Sequence, residues 1–207
     1  EVLILAVKPQ LMRHVLQQLG PRRDNQLVIS VAAGLTLTTL GNWLGDATPV
    51  IRVMPNQPAL VGAGMAVMVA GAAVDDRQRA QADYVMSATG ESGWVEDESL
   101  IDAVTAVSGS GPAYFYLLME ILADWARANG IDDELAERLA VATARGAGLA
   151  AADSRLSPEA LRASVTSPGG TTAAAITSLE TAELRDIFRK ALDAARRRSV
   201  ELGRDSD

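Results

Sequence analysis

Cysteine is absent from the 207 residues, which excludes disulfides, thiolate metal sites and cysteine nucleophiles and fits a reducing compartment. Histidine occurs once, at His14. It falls in an amphipathic pattern with Met12, Val15, Leu16 and Leu19, so a helix position is the simpler reading than a ligand or a general base. With one imidazole, no thiol and no tight acidic cluster, no metal site is expected. Positive charge is scarce as well: the formal net charge is −7. The one basic block, Arg196-Arg197-Arg198, lies near the end of a predicted helix, where cations meet the negative end of the dipole. Nucleic acid and anionic membrane surfaces are therefore not expected as partners. The uncharged run from Val53 to Val74 is interrupted by Pro55, Asn56, Gln57, Pro58 and three glycines, and reads as strand and loop rather than a membrane span. No signal or transit peptide is visible. A soluble, cytoplasmic globular protein is expected.

What is present is apolar patterning, 48% of residues being hydrophobic. Val2 to Val7 is an unbroken apolar run of the kind that forms a parallel strand buried on both faces. Lys8-Pro9 ends it, and a helix runs to about Leu19, closed by Gly20-Pro21. Leu27 to Val31 and Val50 to Met54 are further strands, with a short helical pattern through Leu37, Leu40 and Leu44 between them. This alternation implies right-handed crossovers and a parallel sheet. Met65 to Val69 reads as another strand, Asp75 as the cap of a helix to about Ala88, Thr89 to Gly93 as a turn, and Trp94-Val95 as a short strand. From Asp97 the pattern is helical. The predicted fold is α/β: a partial Rossmann-like parallel sheet over 1–96, followed by an all-α oligomerisation domain over 97–207. Apolar stripes on the helices at 112–129 and 183–202 suit a homodimer or larger homo-oligomer, although a monomeric bundle fits the same pattern.

Ligands of such sheets bind beyond the carboxyl ends of the strands, here Ala6 to Pro9, Ala32 to Gly34 and Met54 to Gln57. A second candidate is Val165-Thr166-Ser167-Pro168-Gly169-Gly170-Thr171-Thr172, which leads into an Ala-rich helix. Read functionally, its glycines place successive amides on one side, so that free N–H groups and the positive dipole end face a carboxylate or phosphate. Ser167, Thr171 and Thr172 add hydroxyls. The alternative is an ordinary Ser-Pro turn before a capped helix. A similar helix entrance, Ser108-Gly109-Ser110-Gly111-Pro112, lies upstream and favours the first reading.

These motifs, taken with Ile4 to Gln10, Val31-Ala32-Ala33-Gly34, Arg52-Val53-Met54-Pro55-Asn56-Gln57-Pro58-Ala59 and Ile101 to Tyr114, resemble the pyrroline-5-carboxylate reductase family over nearly the whole chain. The resemblance implies a cytoplasmic oxidoreductase that makes L-proline by hydride transfer from NADPH or NADH to the imine carbon of a pyrroline ring. It implies that Ser167 and the amides of Gly169, Gly170 and Thr171 hold the substrate carboxylate, and that Thr172 hydrogen-bonds the ring nitrogen as the catalytic side chain. It also implies that the backbone around Ala6, Val7, Lys8, Pro9, Ala32, Ala33 and Asn56 lines the nicotinamide side of the cofactor. Lys8 either contributes there or only caps the strand end. Family members begin with a strand and a GxGxxG-type turn for the pyrophosphate. Roughly 60 residues of that kind, about two βαβ steps, are expected to precede the pattern seen here. A chain without them is expected to hold NADPH weakly, and the alternative reading is a non-catalytic oligomerising fragment of such an enzyme.

Overall fold

The computed structural model describes residues 1–19 and 25–204; the expected Gly20-Pro21 stop lies outside them. Five strands form one sheet in the order β1-β2-β3-β4-β5: β1 (Val2–Leu5), β2 (Leu27–Ser30), β3 (Val50–Met54), β4 (Gly64–Ala70) and β5 (Gly90–Trp94). The pairs β1–β2 and β2–β3 are parallel, as the strand–helix alternation requires. The pair β3–β4 is antiparallel, and β4–β5 is parallel again, so the sheet is mixed. Only the short 3-10 turn Gln57–Val61 separates β3 from β4, too little chain for the helical crossover that a parallel pairing needs.

Alternation along the central strands sorts their side chains onto two cores. Val28 and Val50 pack with Leu5, Met12, Leu40 and Leu44 on one face. Leu27, Ile29, Ile51 and Val53 pack with Met68, Ala82 and Met86 on the other. Each fully buried Leu or Ile contributes about 1.5–3 kcal/mol, so this two-sided burial sets the register of β2 and β3. The β1 run departs from expectation. It borders the sheet, Ile4 is 47% exposed, and the strand stops at Leu5.

The expected turn at Thr89 to Gly93 is instead most of β5. Gly90 has φ +137° and lies so close to Gly64 that any Cβ would collide with the Gly64 backbone, while Gly64 N–H donates to Thr89 C=O at 2.8 Å. The glycine marks a close approach of two strands rather than a turn.

Around this sheet lie α1 (Pro9–Gln18), α2 (Leu37–Leu44) and α3 (Asp76–Ser87). Helix α3 begins with a full capping box: Asp75 Oδ1 accepts from Gln78 N–H at 2.7 Å, and Gln78 Oε1 accepts from Asp75 N–H at 3.0 Å. Next comes a continuous run of three helical types: a 3-10 turn (Glu98–Leu100), α4 (Ile101–Val104) and a π-helical turn (Thr105–Gly109). Asp97 caps it, accepting from Ser99 N–H at 2.8 Å, and this bond holds the Asp97 carboxyl below its ordinary pKa.

Five further helices follow among the described residues: α5 (Gly111–Ala128), α6 (Asp133–Asp153), α7 (Pro158–Ser164), α8 (Thr171–Thr181) and α9 (Leu184–Arg204). The compact units are Glu1–Pro112 with Leu192–Asp207, and Ala113–Ala191. The run from 97 to 112, expected with the helices, thus clusters with the sheet. Glu98 and Ser108 help to explain this, since Glu98 bonds Arg52 within β3 and Leu37 at the start of α2, and Ser108 bonds Asn56 just beyond β3. In the second unit only small side chains are buried, Ala123, Ala126, Ala136 and Ala140, whereas Phe115, Leu117, Ile121, Leu122 and Trp125 are exposed.

Candidate active site

In the sheet unit, pairing alone aligns the ends of β1, β2 and β3. Leu5 stands beside Ser30 and Ser30 beside Arg52. Val31 N–H extends the ladder by donating to Leu5 C=O at 3.1 Å, and Ala32 N–H turns back to Ser30 Oγ at 3.4 Å. Ala6, Val7, Lys8 and Pro9 follow the first strand end, Ala32 and Ala33 the second, and Asn56 the third. Ala6 and Ala33 are exposed, and their single methyl groups leave the main chain open to a flat ligand. Lys8 is the N-cap residue of α1: its C=O accepts from Leu11 N–H at 2.9 Å, and its side chain makes no capping bond. Asn56 is turned inward. Its Oδ1 accepts from Met65 N–H at 2.9 Å and its Nδ2 donates to Ser108 Oγ at 3.2 Å. A cavity of about 180 Å3 lies beside these ends, lined by Ala32, Ala33, Gly34, Arg52 and Met54, with Ser110 and Ser199 among its polar groups.

Arg52 is the one charged residue of β3, and its side chain is only 9% exposed. Glu98 answers it: Oε1 accepts from Arg52 Nη1 at 2.7 Å and from Leu37 N–H, the first residue of α2, at 2.8 Å. One carboxylate therefore ties the β2–α2 connection to β3. Sequence reasoning assigned no role to Glu98 or Arg52, and read Ser108 only as the start of a Gly-rich helix entrance. The signal available was Arg52 itself, since a cation in an apolar strand requires a partner, but its position 46 residues ahead of Glu98 gives no local clue.

In the helical unit, Ser167-Pro168-Gly169-Gly170 forms a type II turn. Pro168 occupies the second position, Gly169 the third with φ +72°, and Gly170 N–H donates to Ser167 C=O at 3.0 Å. The turn delivers the chain to α8 with Gly170 as N-cap and no side chain on the cap. The first helical bond is Ala174 N–H to Gly170 C=O at 3.1 Å, so the amides of Thr171, Thr172 and Ala173 precede it. Ser167, Gly169 and Thr171 are exposed, and Gly170 and Thr172 half-buried. Uncapped amides, a helix dipole and flanking hydroxyls make this entrance suited to an anion. At the other end of α8, Arg185 donates to both Glu180 oxygens, which lowers the carboxyl's pKa and raises that of the guanidinium.

Among the described residues no group of acidic or histidine side chains could hold a metal ion, and no helix is long and apolar enough to cross a membrane. His14 is exposed and pairs with Gln18 at 3.0 Å.

A sheet with parallel β1–β2–β3 pairing, flanking helices and an open main chain at its strand ends places the molecule in the Rossmann-type α/β class. The family model for pyrroline-5-carboxylate reductase dimerisation matches residues 98–202. The chain is 47% identical over 203 residues to the pyrroline-5-carboxylate reductase of Pseudomonas aeruginosa, covering 98% of this chain and 74% of that one. The solved structure of the Coxiella burnetii enzyme superposes with a TM-score of 0.90 at 42% identity, over 97% of this chain and 75% of that one. The Plasmodium falciparum pyrroline carboxylate reductase, solved with NADP bound, gives 0.86 at 31% identity, over 98% and 77%. The chain belongs to the pyrroline-5-carboxylate reductase family.

Proposed function

We propose that the protein reduces pyrroline-5-carboxylate to L-proline with NADPH or NADH in the cytoplasm, as the final step of proline synthesis, acting on this small molecule without nucleic acid or membrane. The observation that carries the reading is the Ser167–Thr172 entrance, where uncapped amides and hydroxyls are gathered by a type II turn. The amides of Gly169 and Thr171, with Ser167, hold the substrate carboxylate, whereas the Gly170 N–H, expected to join them, is already committed to Ser167 C=O and supplies the bend instead. Thr172 hydrogen-bonds the ring nitrogen and steadies the charge that changes there. The main chain of Ala6, Val7, Lys8, Pro9, Ala32, Ala33 and Asn56 lines the nicotinamide side, with methyl-sized side chains at Ala6, Ala32 and Ala33 that fit a flat ring. When bound, the reduced nicotinamide supplies the hydride for the C=N carbon, and a proton on nitrogen completes the amine. In functional terms residues 1–96 serve the cofactor, and residues 97–207 serve the substrate and the dimer.

Two measurements test this reading. Purified intact protein should oxidise NADPH only when pyrroline-5-carboxylate is added, with proline as product, and absence of that coupled turnover would reject it. The exposed Phe115, Leu117, Ile121, Leu122 and Trp125 on α5 form an apolar face beyond what a monomer leaves in water. Sedimentation at micromolar concentration should therefore show a dimer or a larger species. A clean monomer would remove the helical unit from this role.

A further inference from the structure

We propose that Ser108 and Asn56 form a brace that positions the β3 end against the cofactor, making Ser108 a positioning residue of the reaction. This rests on the reductase reading above. Asn56 follows β3 in extended conformation, φ −133° and ψ 167°, and starts the 3-10 turn Gln57–Val61. Its side-chain amide is engaged at both ends. Oδ1 takes the N–H of Met65 on β4 at 2.9 Å, and Nδ2 gives to Ser108 Oγ at 3.2 Å. Asn56 therefore meets a ligand through its main chain, and the position of that main chain depends on where the side chain is held.

Ser108 holds it from an unusual backbone. The turn Thr105–Gly109 is π-helical, closed by Ser110 N–H to Thr105 C=O at 2.8 Å, and such widened turns gather at functional sites. Gly109, next in sequence, lies against the Met54 thioether so closely that a Cβ there would strike Met54 Cε. The π turn thus touches β3 at Met54 through a missing side chain and at Asn56 through a hydrogen bond. An α-helical path would place residue 108 about 100° away around the axis, and the hydroxyl would leave Asn56. Main-chain recognition tolerates little displacement, because a shift of about 1 Å at a reacting group costs up to about a hundredfold in rate.

The test compares Ser108→Ala with Ser108→Thr, which keeps the hydroxyl, in the intact protein. NADPH affinity is read by fluorescence titration, steady-state constants by NADPH oxidation, and opening at Met65 N–H by amide hydrogen exchange. The expected result for Ser108→Ala is an NADPH Kd and KM raised about three- to tenfold for one lost hydrogen bond. Met65 N–H should exchange faster while KM for pyrroline-5-carboxylate stays within twofold. Ser108→Thr should restore both NADPH constants to within about twofold. Unchanged NADPH Kd in Ser108→Ala overturns the brace, as does a fall in thermal midpoint with no change in NADPH Kd. Wild-type protein that binds NADPH without reducing pyrroline-5-carboxylate rejects the substrate reading alone, and the Kd ratio still decides the brace. Wild-type protein that binds no NADPH overturns both.

Discussion

Replacing Thr172 by alanine is expected to lower kcat about ten- to a hundredfold while KM for pyrroline-5-carboxylate changes little. In the proposed site the entrance amides and Ser167 already hold the carboxylate, and those contacts are alike in the ground and transition states. Charge at the ring nitrogen, in contrast, changes as hydride arrives, so a hydroxyl placed there acts mainly on the barrier. One such bond is worth about 1.5–3 kcal/mol, which converts to that range in rate. Ser167→Ala should do the reverse, raising KM with kcat nearly constant. The competing view makes Thr172 a support of the α8 start. It predicts a lower thermal midpoint with intact kcat, so steady-state kinetics and melting of the two variants separate the cases.

Glu98→Ala is expected to destabilise the protein by about 2–3 kcal/mol. Truncating one member of a buried pair typically costs about 3–5 kcal/mol because the partner charge stays unpaired. The lower figure follows from the Glu98 side chain being 27% exposed, which lets water reach the Arg52 guanidinium. The same substitution strips the acceptor from Leu37 N–H at the start of α2. Glu98→Gln keeps a neutral acceptor and should lose about half as much. Urea denaturation at fixed protein concentration measures both variants. A Glu98→Ala midpoint within error of wild type would mean that Arg52 is satisfied without its carboxylate.

Sequence patterning revealed those features governed by neighbours along the chain. The apolar runs of β2 and β3, the Asp75 cap and the Ser167-Pro168-Gly169-Gly170 turn each depend on side chains a few positions apart, and each stands where periodicity and turn chemistry put it. Features governed by distant partners were not legible. Whether Ile4 is covered depends on what lies beside β1. Gly90 reads as a turn residue until Gly64 is brought against it. Arg52 announces that it needs a counter-charge but not that Glu98 supplies it. The Asn56 position was legible as a strand end facing a ligand, yet its amide is committed to Met65 and Ser108, a pairing that only the π turn makes possible.

The alanine-only burial within the helical unit bears on the life history of the assembly. A segment that hides Ala123, Ala126, Ala136 and Ala140 while presenting Phe115 and Trp125 to its surroundings has little cohesion until another surface covers it. In the proposed dimer each subunit covers the apolar face of its partner, so separating the two returns Phe115 and Trp125 to water and is expected to be slow. Mixing two preformed populations would yield hybrids far more slowly than coexpressing them. Which chains end up together is decided when they fold.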